Sequence, residues 1–517
     1  MAKVGGILTV KGIDTSKPAE YIDEQSSPNT QNMTVNRSIL RKRTGLTVLG
    51  ATMSESVMRG VTFRRAATNH NVRIGISKIH HWNTGTLVWD DITGTDLTAS
   101  NNNPVDIATP LLSGSRIIAF TNYINNIRKY TGTGNTTDLG GTPPKAKFII
   151  SYKGYLLLAY IDDGTVRPMR VQWSDTGDPE TWSGGNAGAK DLNEEGDDIT
   201  GLNVFGDYVC IHKENAIYVG YLVSTSSIFK FDRKSTGVGT LCNNSIQNLP
   251  VGVQAFAARD GIRLFNGISA PLIKSPILDD WREGLNPEYQ HRIWSIIVPE
   301  LAEYWVGVPI GSQVTGDTVF KYNYRTGIVY KDTRTNIMSA WNYQVDTSDT
   351  WDGDDEPWDS DTTAWDEVTL LKLFKNVLLG DINGLTLERN ANIKNDNLAA
   401  VDAFYETIDF TAAKLSGNNQ FLGFLVRWGV ANIKCSMEIW AKGDSVTIAY
   451  SIDGGATWTD ITTLSLDSDY PADDNPLRIY FDFVSSKARF RFRNNTLGEG
   501  FSLKQYFINA TLRELRG

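Results

Sequence analysis

The sequence predicts an all-β protein, in which a β-propeller of six or seven irregular blades is followed by a C-terminal β-sandwich of jelly-roll type. Short runs of β-branched and aromatic residues are repeatedly interrupted by Gly, Asn or Asp turn signals. The 517 residues include 46 glycines, and few stretches show a helical apolar period. A hydrophobic content of 41% is enough for a large core and excludes wholesale disorder.

Seven short segments between residues 51 and 395 share a tight turn followed by an apolar or aromatic strand. The turns lie at Gly85, Gly132, Gly164, Asn215, Gly261, Gly327 and Gly384. Gly or Asn can supply the positive φ of a hairpin turn, and the alternation after it buries one face. The spacing of about 30 to 65 residues brackets the 40–50 of a four-stranded blade, so 51–395 is predicted to be the propeller, with a chain of β-sandwiches as the alternative.

Residues 1–50 predict an N-terminal arm with one strand. The segment combines the turn-forming "SSPNTQN" with the basic run "RSILRKRTG". One interpretation is a solvated surface segment. The other is an inter-subunit arm in which Arg37, Arg41, Lys42 and Arg43 bind an acidic neighbour, so that a chain lacking residues 1–45 would fold but would not assemble.

A helical interruption is predicted within residues 275–298. Asp279 and Asp280 lie near a possible helix start, and Pro287 separates it from a second short helix. A connector over one face of the propeller is the favoured interpretation.

Residues 349–367, "DTWDGDDEPWDSDTTAWDE", are unusually acidic. Trp351, Trp358 and Trp365 recur every seven residues, but Gly, Pro and the like charges disfavour a coiled coil. We expect an exposed loop anchored by these indoles. Calcium binding is a weaker alternative, since the loop lacks the EF-hand order of ligands.

Residues 396–517 alternate strictly between apolar and polar residues and predict the β-sandwich. Alternation places apolar residues on one face of each strand and an arginine row on the other. The inward set is Val446, Ile448, Tyr450, Ala488, Phe490 and Phe492, and the outward row is Arg489, Arg491 and Arg493. The row is either a solvated sheet face or a contact for an acidic partner.

The stretch "SIDGGATWTD" fits the Asp-box pattern S-x-D-x-G-x-T-W of sialidases and other propeller glycosidases. In this pattern Asp453 accepts backbone N–H groups inside the turn, Gly455 adopts a left-handed conformation, and Trp458 packs under the hairpin. Ser451 opens the box. These roles are structural, so we predict a stabilising turn and no glycosidase site.

The totals disfavour several function classes. A net charge of −9 argues against a protein that binds nucleic acid by neutralising phosphates. The three cysteines have neither disulfide-framework nor zinc-site spacing, which favours a reducing compartment. The N-terminal apolar patch is too short for a signal peptide, and no stretch approaches a membrane span. Catalytic motifs such as G-x-S-x-G, H-E-x-x-H and the Walker loop are absent from the sequence, so we expect no enzyme, no cofactor and no metal.

Several stretches between residues 1 and 390 follow one another in a characteristic order. They are 27–45, 143–160, 171–185, 196–222, 235–246, 257–267 and 318–332, among them "SPNTQNMTVNRSILRKRTG" and "PPKAKFIISYKGYLLLAY". This order resembles that of β-propeller proteins in podophage tails, namely the tail nozzle proteins (tubular tail protein B) and the head-to-tail, or packaged-DNA, stabilisation proteins.

This resemblance implies a structural virion protein, made in the cytoplasm of the host bacterium and located in the tail or neck. Family members form a ring, usually a homo-hexamer, below the portal and adaptor and next to tail fibre or tip proteins. The ring extends the DNA channel and closes it until infection, and double-stranded DNA passes through without sequence-specific binding.

An acidic conduit would repel the phosphates of passing DNA. Like charges within about 8–10 Å of each other interact strongly at ordinary salt. We therefore expect some of the loop carboxylates to face the channel or its exit: Asp352, Asp354, Asp355, Asp359 and Asp361.

Two other function classes remain open on the sequence. A carbohydrate- or receptor-binding virion protein of the tail would use the three tryptophans of 349–367 to stack on sugar rings. A secreted glycosidase would account for the Asp box alone.

Overall fold

The computed structural model describes residues 3–4, 11–36, 39–66, 68–223, 228–273, 277–344, 376–411 and 431–513. Within these ranges nearly all regular structure is β-strand, accompanied by one α-helix and three short 3₁₀ segments. The all-β prediction is confirmed.

The N-terminal strands come first along the chain and are shared between two domains. They are β1 (Lys3–Val4), β2 (Thr30–Gln31), β3 (Met33–Asn36), β4 (Ile39–Lys42) and β5 (Gly45–Val48). Strands β1 to β4 join the two sheets of the sandwich, whereas β5 joins a sheet of the propeller.

Three antiparallel four-stranded sheets follow and form blades 1 to 3. Blade 1 contains β6 (Arg59–Arg65), β7 (Thr68–Ile74), β8 (Ile79–Asn83) and β9 (Val88–Asp91). Blade 2 contains β10 (Asp106–Ala108), a small hairpin of β11 (Leu111–Leu112) and β12 (Ser115–Arg116), then β13 (Ile118–Thr121), β14 (Arg128–Tyr130) and β15 (Thr137–Asp138). Blade 3 contains β16 (Lys145–Tyr152), β17 (Tyr155–Asp162), β18 (Val166–Trp173) and β19 (Gly188–Asp191).

Blades 4 to 6 continue in chain order. Blade 4 contains β20 (Ile199–Phe205), β21 (Tyr208–Lys213), β22 (Ala216–Leu222) and β23 (Phe229–Thr236). A 3₁₀ turn (Asn243–Ser245) leads to blade 5 with β24 (Gln247–Leu249), β25 (Val253–Ala258) and β26 (Gly261–Phe265). Helix α1 (Leu278–Gly284) and a 3₁₀ segment (Pro287–Arg292) precede blade 6, with β27 (Trp294–Val298), a 3₁₀ turn (Pro299–Leu301), β28 (Glu303–Val308), β29 (Thr318–Asn323) and β30 (Val329–Thr333).

Blade 7 is closed by a strand from the other end of the chain. Its own strands are β31 (Ile337–Tyr343), β32 (Asn376–Asp381) and β33 (Thr386–Asn390). The N-terminal strand β5 pairs antiparallel with β33, with Leu46 opposite Arg389. The described residues therefore form seven blades, which confirms the propeller within the predicted range of six or seven.

Apolar clusters connect every blade to the next and close the ring. Blades 1 and 2 share one cluster that also contains Met338 of blade 7, and further clusters join each later pair. A separate cluster packs Trp341 of blade 7 against Trp82 and Trp89 of blade 1. Each sheet buries both faces against its neighbours, which a single blade could not do alone.

The seven predicted turns fall one in each blade, but not at the same place in each. In blades 1, 2 and 6 the turn joins the third and fourth strands, whereas in the other four it joins the second and third. This shift accounts for much of their irregular spacing. The predicted positive φ is present at five of the turns, but in blade 1 it is Leu87 and not Gly85 that adopts it, and Asn215 does not.

The predicted helical interruption is confirmed. The indole of Trp281 on α1 is fully buried between blades 5 and 6, and its Nε1 donates to the Ala258 carbonyl at 3.0 Å. Asn286 caps the following 3₁₀ segment by accepting from the Glu288 N–H, and Pro287 occupies the first position, where no donor is needed. This connector is thus anchored in the core.

Ten strands remain among the described residues, and all of them except β34 and β35 build the sandwich together with β1 to β4. They are β34 (Asn395–Asp396), β35 (Ala399–Ala400), β36 (Ala403–Glu406), β37 (Phe410–Thr411), β38 (Ala431–Gly443), β39 (Ser445–Ser451), β40 (Thr459–Ser465), β41 (Leu477–Ser485), β42 (Lys487–Asn494) and β43 (Phe501–Arg513). One sheet has the order β3-β4-β43-β38-β41, with β1 beside β43. The other has the order β2-β36-β42-β39-β40, with β37 beside β42, whereas the short strands β34 and β35 extend the sheet of blade 7 beyond β5.

The predicted inward face of the sandwich is confirmed. The alternating apolar residues of β39 and β42 are buried in one core, with Tyr450 partly buried at its margin. Met33, Leu40 and Tyr405 complete this core, so the N-terminal segment supplies part of the apolar interior.

The expectation that residues 1–50 form an arm is therefore wrong. Residues 30–42 provide strands to both sandwich sheets, and β5 closes the propeller. A chain without residues 1–45 would lose four sandwich strands together with the first residue of β5, so it should not fold as a free subunit. Non-local strand pairing, which local composition does not reveal, is the physical reason.

In the described part of the chain, no helix is long and apolar enough to cross a membrane.

Candidate anion-binding cavity at the domain junction

The basic run of the N-terminal segment lies where the sandwich meets blade 6. Strands β2 and β3 pack against β30, the outer strand of that blade. Arg41 is exposed, whereas Lys42 and Arg43 are both 4% exposed. Arg37 lies outside the described residues.

Arg43 binds carboxylates of its own chain, which corrects the prediction of an inter-subunit role. Its Nη1 and Nη2 both donate to the Asp396 carboxylate, and its Nε donates to Asn32 Oδ1 at 2.9 Å. Although burial opposes it, the hydrogen bond to Asp396 raises the pKa of Arg43. Lys42 donates to Asn494 Oδ1 at 2.7 Å inside the sandwich. Both side chains therefore bind partners within their own chain, and the tertiary structure brings those partners near.

Blade 6 contributes a buried ion cluster to the same junction. Lys321 Nζ lies 2.9 Å from Asp332 Oδ1 and also donates to the Met33 carbonyl at 3.0 Å. Asp332 further faces Arg43 at 3.9 Å and Arg334 at 3.6 Å. A carboxylate that is completely buried needs such compensation, since desolvating a lone charge is costly.

Hydrogen bonding in this cluster is incomplete, because neither carboxylate oxygen of Asp332 has a hydrogen-bond partner among the described residues and the donors of Arg334 are largely unused. Its side chain is 1% exposed and its Cζ lies 4.9 Å from the centre of the Trp305 ring. Neither Nε nor Nη1 finds a hydrogen-bond acceptor among the described residues. Burial and the nearby Arg43 charge lower the pKa of Arg334 to about 10. Buried donors without acceptors are rare, and they call for a partner.

A cavity of about 390 Å³ opens in front of these residues. Its inner wall holds Lys42, Arg43, Lys321 and Arg334. Four further cations from the propeller edge and the sandwich line the rest, namely Arg41, Arg389, Lys394 and Lys442. Only two carboxylates line the cavity in the described part of the chain, Asp332 and Asp444.

The cationic groups of the cavity destabilise one another's charged forms. Burial and the Arg43 charge lower the pKa of Lys42 to about 8. Burial also lowers the pKa of Arg389 to about 10, and burial with the Arg41 charge lowers that of Lys394. An anion placed among them would favour the charged forms of all of these groups.

A second cavity of about 270 Å³ lies beside the inner strands of blades 2 to 5. Asp106 on β10 accepts from the Ile149 N–H at 2.8 Å, and burial raises the pKa of this carboxyl to about 6 despite the nearby Arg59. The walls also carry Lys147, whose Nζ lies 3.4 Å from the centre of the Tyr160 ring. Its charges are mixed, and His291, which also lines it, has an Nε2 without a hydrogen-bond partner among the described residues.

The Asp box has the predicted geometry. Asp453 accepts from the Thr457 N–H at 2.9 Å, and Ser451 Oγ accepts from the Gly455 N–H at 2.8 Å. Gly455 has a φ of +97°, and Trp458 Nε1 donates to the Gly455 carbonyl at 3.1 Å. The hydrogen bond from Ser451 is the largest cause that lowers the pKa of Asp453.

The outward arginine row of β42 is neutralised by the chain itself. Arg493 forms a two-donor pair with Asp402 at 2.7 and 2.9 Å. Arg489 pairs with Asp409 at 2.8 Å. Arg491 stacks on the Asp-box indole, with its Cζ 4.2 Å from the ring centre of Trp458. The row therefore supports the adjoining hairpin, an option that neither predicted interpretation included.

The acidic segment 349–367 lies outside the described residues, together with the five aspartates predicted to face the channel (Asp352, Asp354, Asp355, Asp359 and Asp361) and its three tryptophans. Among the residues that the structure describes, no group of three or more His, Cys, Asp or Glu side chains could hold a metal ion.

Sequence reasoning missed most of the cavity. Arg334, Lys321 and Asp332 were not singled out, although Lys321 interrupts the apolar run "TVFKYN" and Asp332 follows the buried Tyr330. A charge inside a strand with buried neighbours was the available signal. Nothing local indicated that β30 would face the N-terminal strands.

Comparison with known proteins shows no matching family model and no matching curated protein. Solved structures with similar folds include BamB from Moraxella catarrhalis, at 9% identity and a TM-score of 0.34, covering 67% of this chain and 98% of that one. The extracellular domain of a putative one-component system from B. thetaiotaomicron has 10% identity and a TM-score of 0.40, covering 77% and 43%.

A fungal alcohol oxidase of the AA5 family, solved with copper, has 8% identity and a TM-score of 0.43, covering 90% of this chain and 99% of its own. Likeness at this level supports no enzymatic activity for the present protein.

Proposed function

We propose that this protein is a structural component of a tailed-phage virion, a ring-forming tail nozzle or head-to-tail connector subunit that extends and closes the DNA channel. It acts by assembly and without catalysis, in the tail or neck of the particle. The observation that carries the proposal is the order of the resembling stretches, which follows the propeller from the N-terminal strands through β29 and β30 of blade 6. A resemblance distributed along a scaffold fits a structural role better than one confined to a catalytic pocket.

The architecture supports this role because the first and the last strands of the described residues pair with each other inside the subunit. The sandwich takes strands from both ends, and β5 closes the propeller. The pairing of β5 with β33 resists opening of the propeller at blade 7, where its first and last blades meet. A subunit under load from packaged DNA requires this kind of rigidity.

An exposed edge strand of the sandwich would suit ring assembly. Strand β41 is the edge of its sheet, with no second partner among the described residues. Its outward side chains include Tyr480, 74% exposed, and Val484, 48% exposed. Exposed edges with large side chains favour association with another chain. We propose that β41 contributes to the contact between copies in a homo-hexamer.

The test is imaging of the purified full-length protein, together with its localisation in purified particles. Closed rings and a position in the tail or neck are expected. The double variant Tyr480→Ser, Val484→Ser should yield monomers, whereas Ile268→Ser, which alters an equally exposed side chain on blade 5, should still form rings. A wild-type protein that stays monomeric and is absent from particles refutes the proposal; specific glycan-array binding would instead support the carbohydrate- or receptor-binding alternative.

The acidic segment remains part of the proposal as a lining of the channel or its exit. Replacing Asp352, Asp354, Asp355, Asp359 and Asp361 by asparagine should slow DNA ejection, since phosphate would adhere where it is now repelled. Ejection is followed by dye uptake from particles carrying the variant. Unchanged kinetics would remove the segment from the channel.

A further inference from the structure

The junction cavity has the properties of an anion site, although the chain as a whole is acidic. We propose that it binds a compact, multiply charged oxyanion of the phosphate class. The ligand would lie against Arg334, between blade 6 and the sandwich.

Arg334 supplies the directional part of the site. Its Nε and Nη1 lack acceptors among the described residues, and its side chain is held in place against Trp305. Nε and Nη1 donate in different directions within the guanidinium plane, so each can form a separate charge-assisted hydrogen bond with an anion oxygen. A guanidinium that is held in place at the base of a cavity loses little entropy when it binds.

The net charge of the walls selects a multiply charged ligand. Eight cationic side chains line the cavity against two carboxylates in the described residues. Five more carboxylates lie behind the walls or beside them: Glu300, Glu303, Asp396, Asp402 and Glu499. Even with all of these ionised the cations outnumber the carboxylates, so an anion would neutralise charge that the protein leaves unbalanced.

The entrance is built from long side chains that can approach a ligand. Lys394 and Lys442 are half-buried at the rim, and Lys442 Nζ lies 5.1 Å from the centre of the Tyr470 ring. Gly500 lies beside Lys394, where an added Cβ would come within 3.4 Å of that side chain. The rim leaves room for the lysines to move toward an anion while the inner wall stays fixed.

The test measures binding of inorganic phosphate to the full-length protein at constant ionic strength, by calorimetry and by thermal unfolding. A ligand that binds only the folded state raises the unfolding temperature in a saturable way. Sodium chloride at matched ionic strength is the control and should produce no saturable shift.

Variants at the rim keep the test independent of folding. The double variant Lys394→Gln, Lys442→Gln should weaken phosphate binding at least about tenfold, because each charged donor contributes strongly to such contacts. Lys190→Gln, an exposed lysine on blade 3, should bind as wild type. Arg334→Gln should abolish phosphate binding if this variant folds. If it does not fold, the affinity of the rim variant for phosphate tests the proposal.

Different sources of the phosphate group give different outcomes. Binding of inorganic phosphate alone identifies a free ion, whereas tighter binding of a nucleoside monophosphate identifies a phosphate carried on an organic group, and either supports the proposal. The absence of saturable binding, or equal affinity in the rim variant, overturns it. Binding of an acidic peptide or duplex DNA in place of phosphate also overturns it.

Discussion

The contacts between blades and the contact between propeller and sandwich differ in their chemistry. Every blade interface is centred on an apolar cluster, such as the one around Trp294 that joins blades 6 and 7. The junction combines apolar packing, in which Tyr330 of blade 6 enters the sandwich core, with a buried ion cluster and a cavity beside it. Apolar burial is non-directional and suits a closed ring, whereas a charged junction depends on exact partners.

Because of this difference, we expect the two kinds of contact to respond to different perturbations. Blade interfaces should be sensitive to lost volume and insensitive to pH. The junction should be sensitive to lost charge partners, to pH and to anions.

The largest effect is expected from removing residues 1–48, because the N-terminal segment belongs to both regions. The truncated chain lacks four sandwich strands and the strand that closes blade 7. We expect loss of cooperative unfolding, measured by circular dichroism during heating. Adding a peptide of residues 11–48 in trans should restore part of it; a truncated chain that unfolds like the full-length protein would contradict the shared role.

A blade interface is tested by Trp294→Ala. This indole is fully buried, and its Nε1 donates to the Gly316 carbonyl at 2.9 Å. Deleting a large buried aromatic lowers the free energy of unfolding by about 3–5 kcal/mol. Urea unfolding should show this loss at both pH 7 and pH 9, while Val166→Ala at an exposed site should change little. A strong pH dependence of this loss would contradict the expectation that blade interfaces are insensitive to pH.

The charged junction is tested by Arg43→Met. The substitution leaves Asp396 and Asp332 without their shared cation, and breaking a buried pair costs about 3 kcal/mol or more. The double variant Arg43→Met, Asp396→Asn should recover part of that loss in urea unfolding, because one uncompensated charge is removed. Additive losses in the double variant would show that the pair is not coupled.

A smaller, pH-dependent effect is expected at Lys42. Its pKa in the folded state, about 8, lies below that of a free lysine near 10.4, so the unfolded state holds more protons between these values. Stability from this group should therefore rise with pH through that window, by at most about 2 kcal/mol after allowance for screening by water. Arg43, Glu499, Asp402 and Asp444 face this lysine.

Urea unfolding at pH 7.5, 8.5 and 9.5 measures the effect. Lys42→Met should remove the rise, and Lys190→Met should keep it. An identical slope in Lys42→Met and wild type would mean that another group is responsible.

The smallest effect is expected at Asp453→Asn in the Asp-box turn, which lies far from both interfaces. An asparagine retains one acceptor but loses the charge that receives Ser451 Oγ and the Thr457 N–H. We expect a slight fall in the temperature of unfolding and no change in phosphate binding. A change in binding would connect the turn to the cavity.

Sequence alone determined the local features of this protein. Turn residues and strict alternation predicted an all-β chain, seven tight turns within a propeller of six or seven blades, the inward faces of β39 and β42, and the hydrogen bonding around Asp453. Each of these depends on residues a few positions apart, where period and turn chemistry act directly.

The contacts between distant segments became visible only in the folded protein. Arg43 and Asp396 are 353 positions apart, and Lys42 and Asn494 are 452 apart. No periodicity encodes such pairings, so the basic run looked like a free arm although two of its charges are buried. The same long-range pairing placed Arg334 of blade 6 opposite the N-terminal strands, and that meeting of two domains created the cavity.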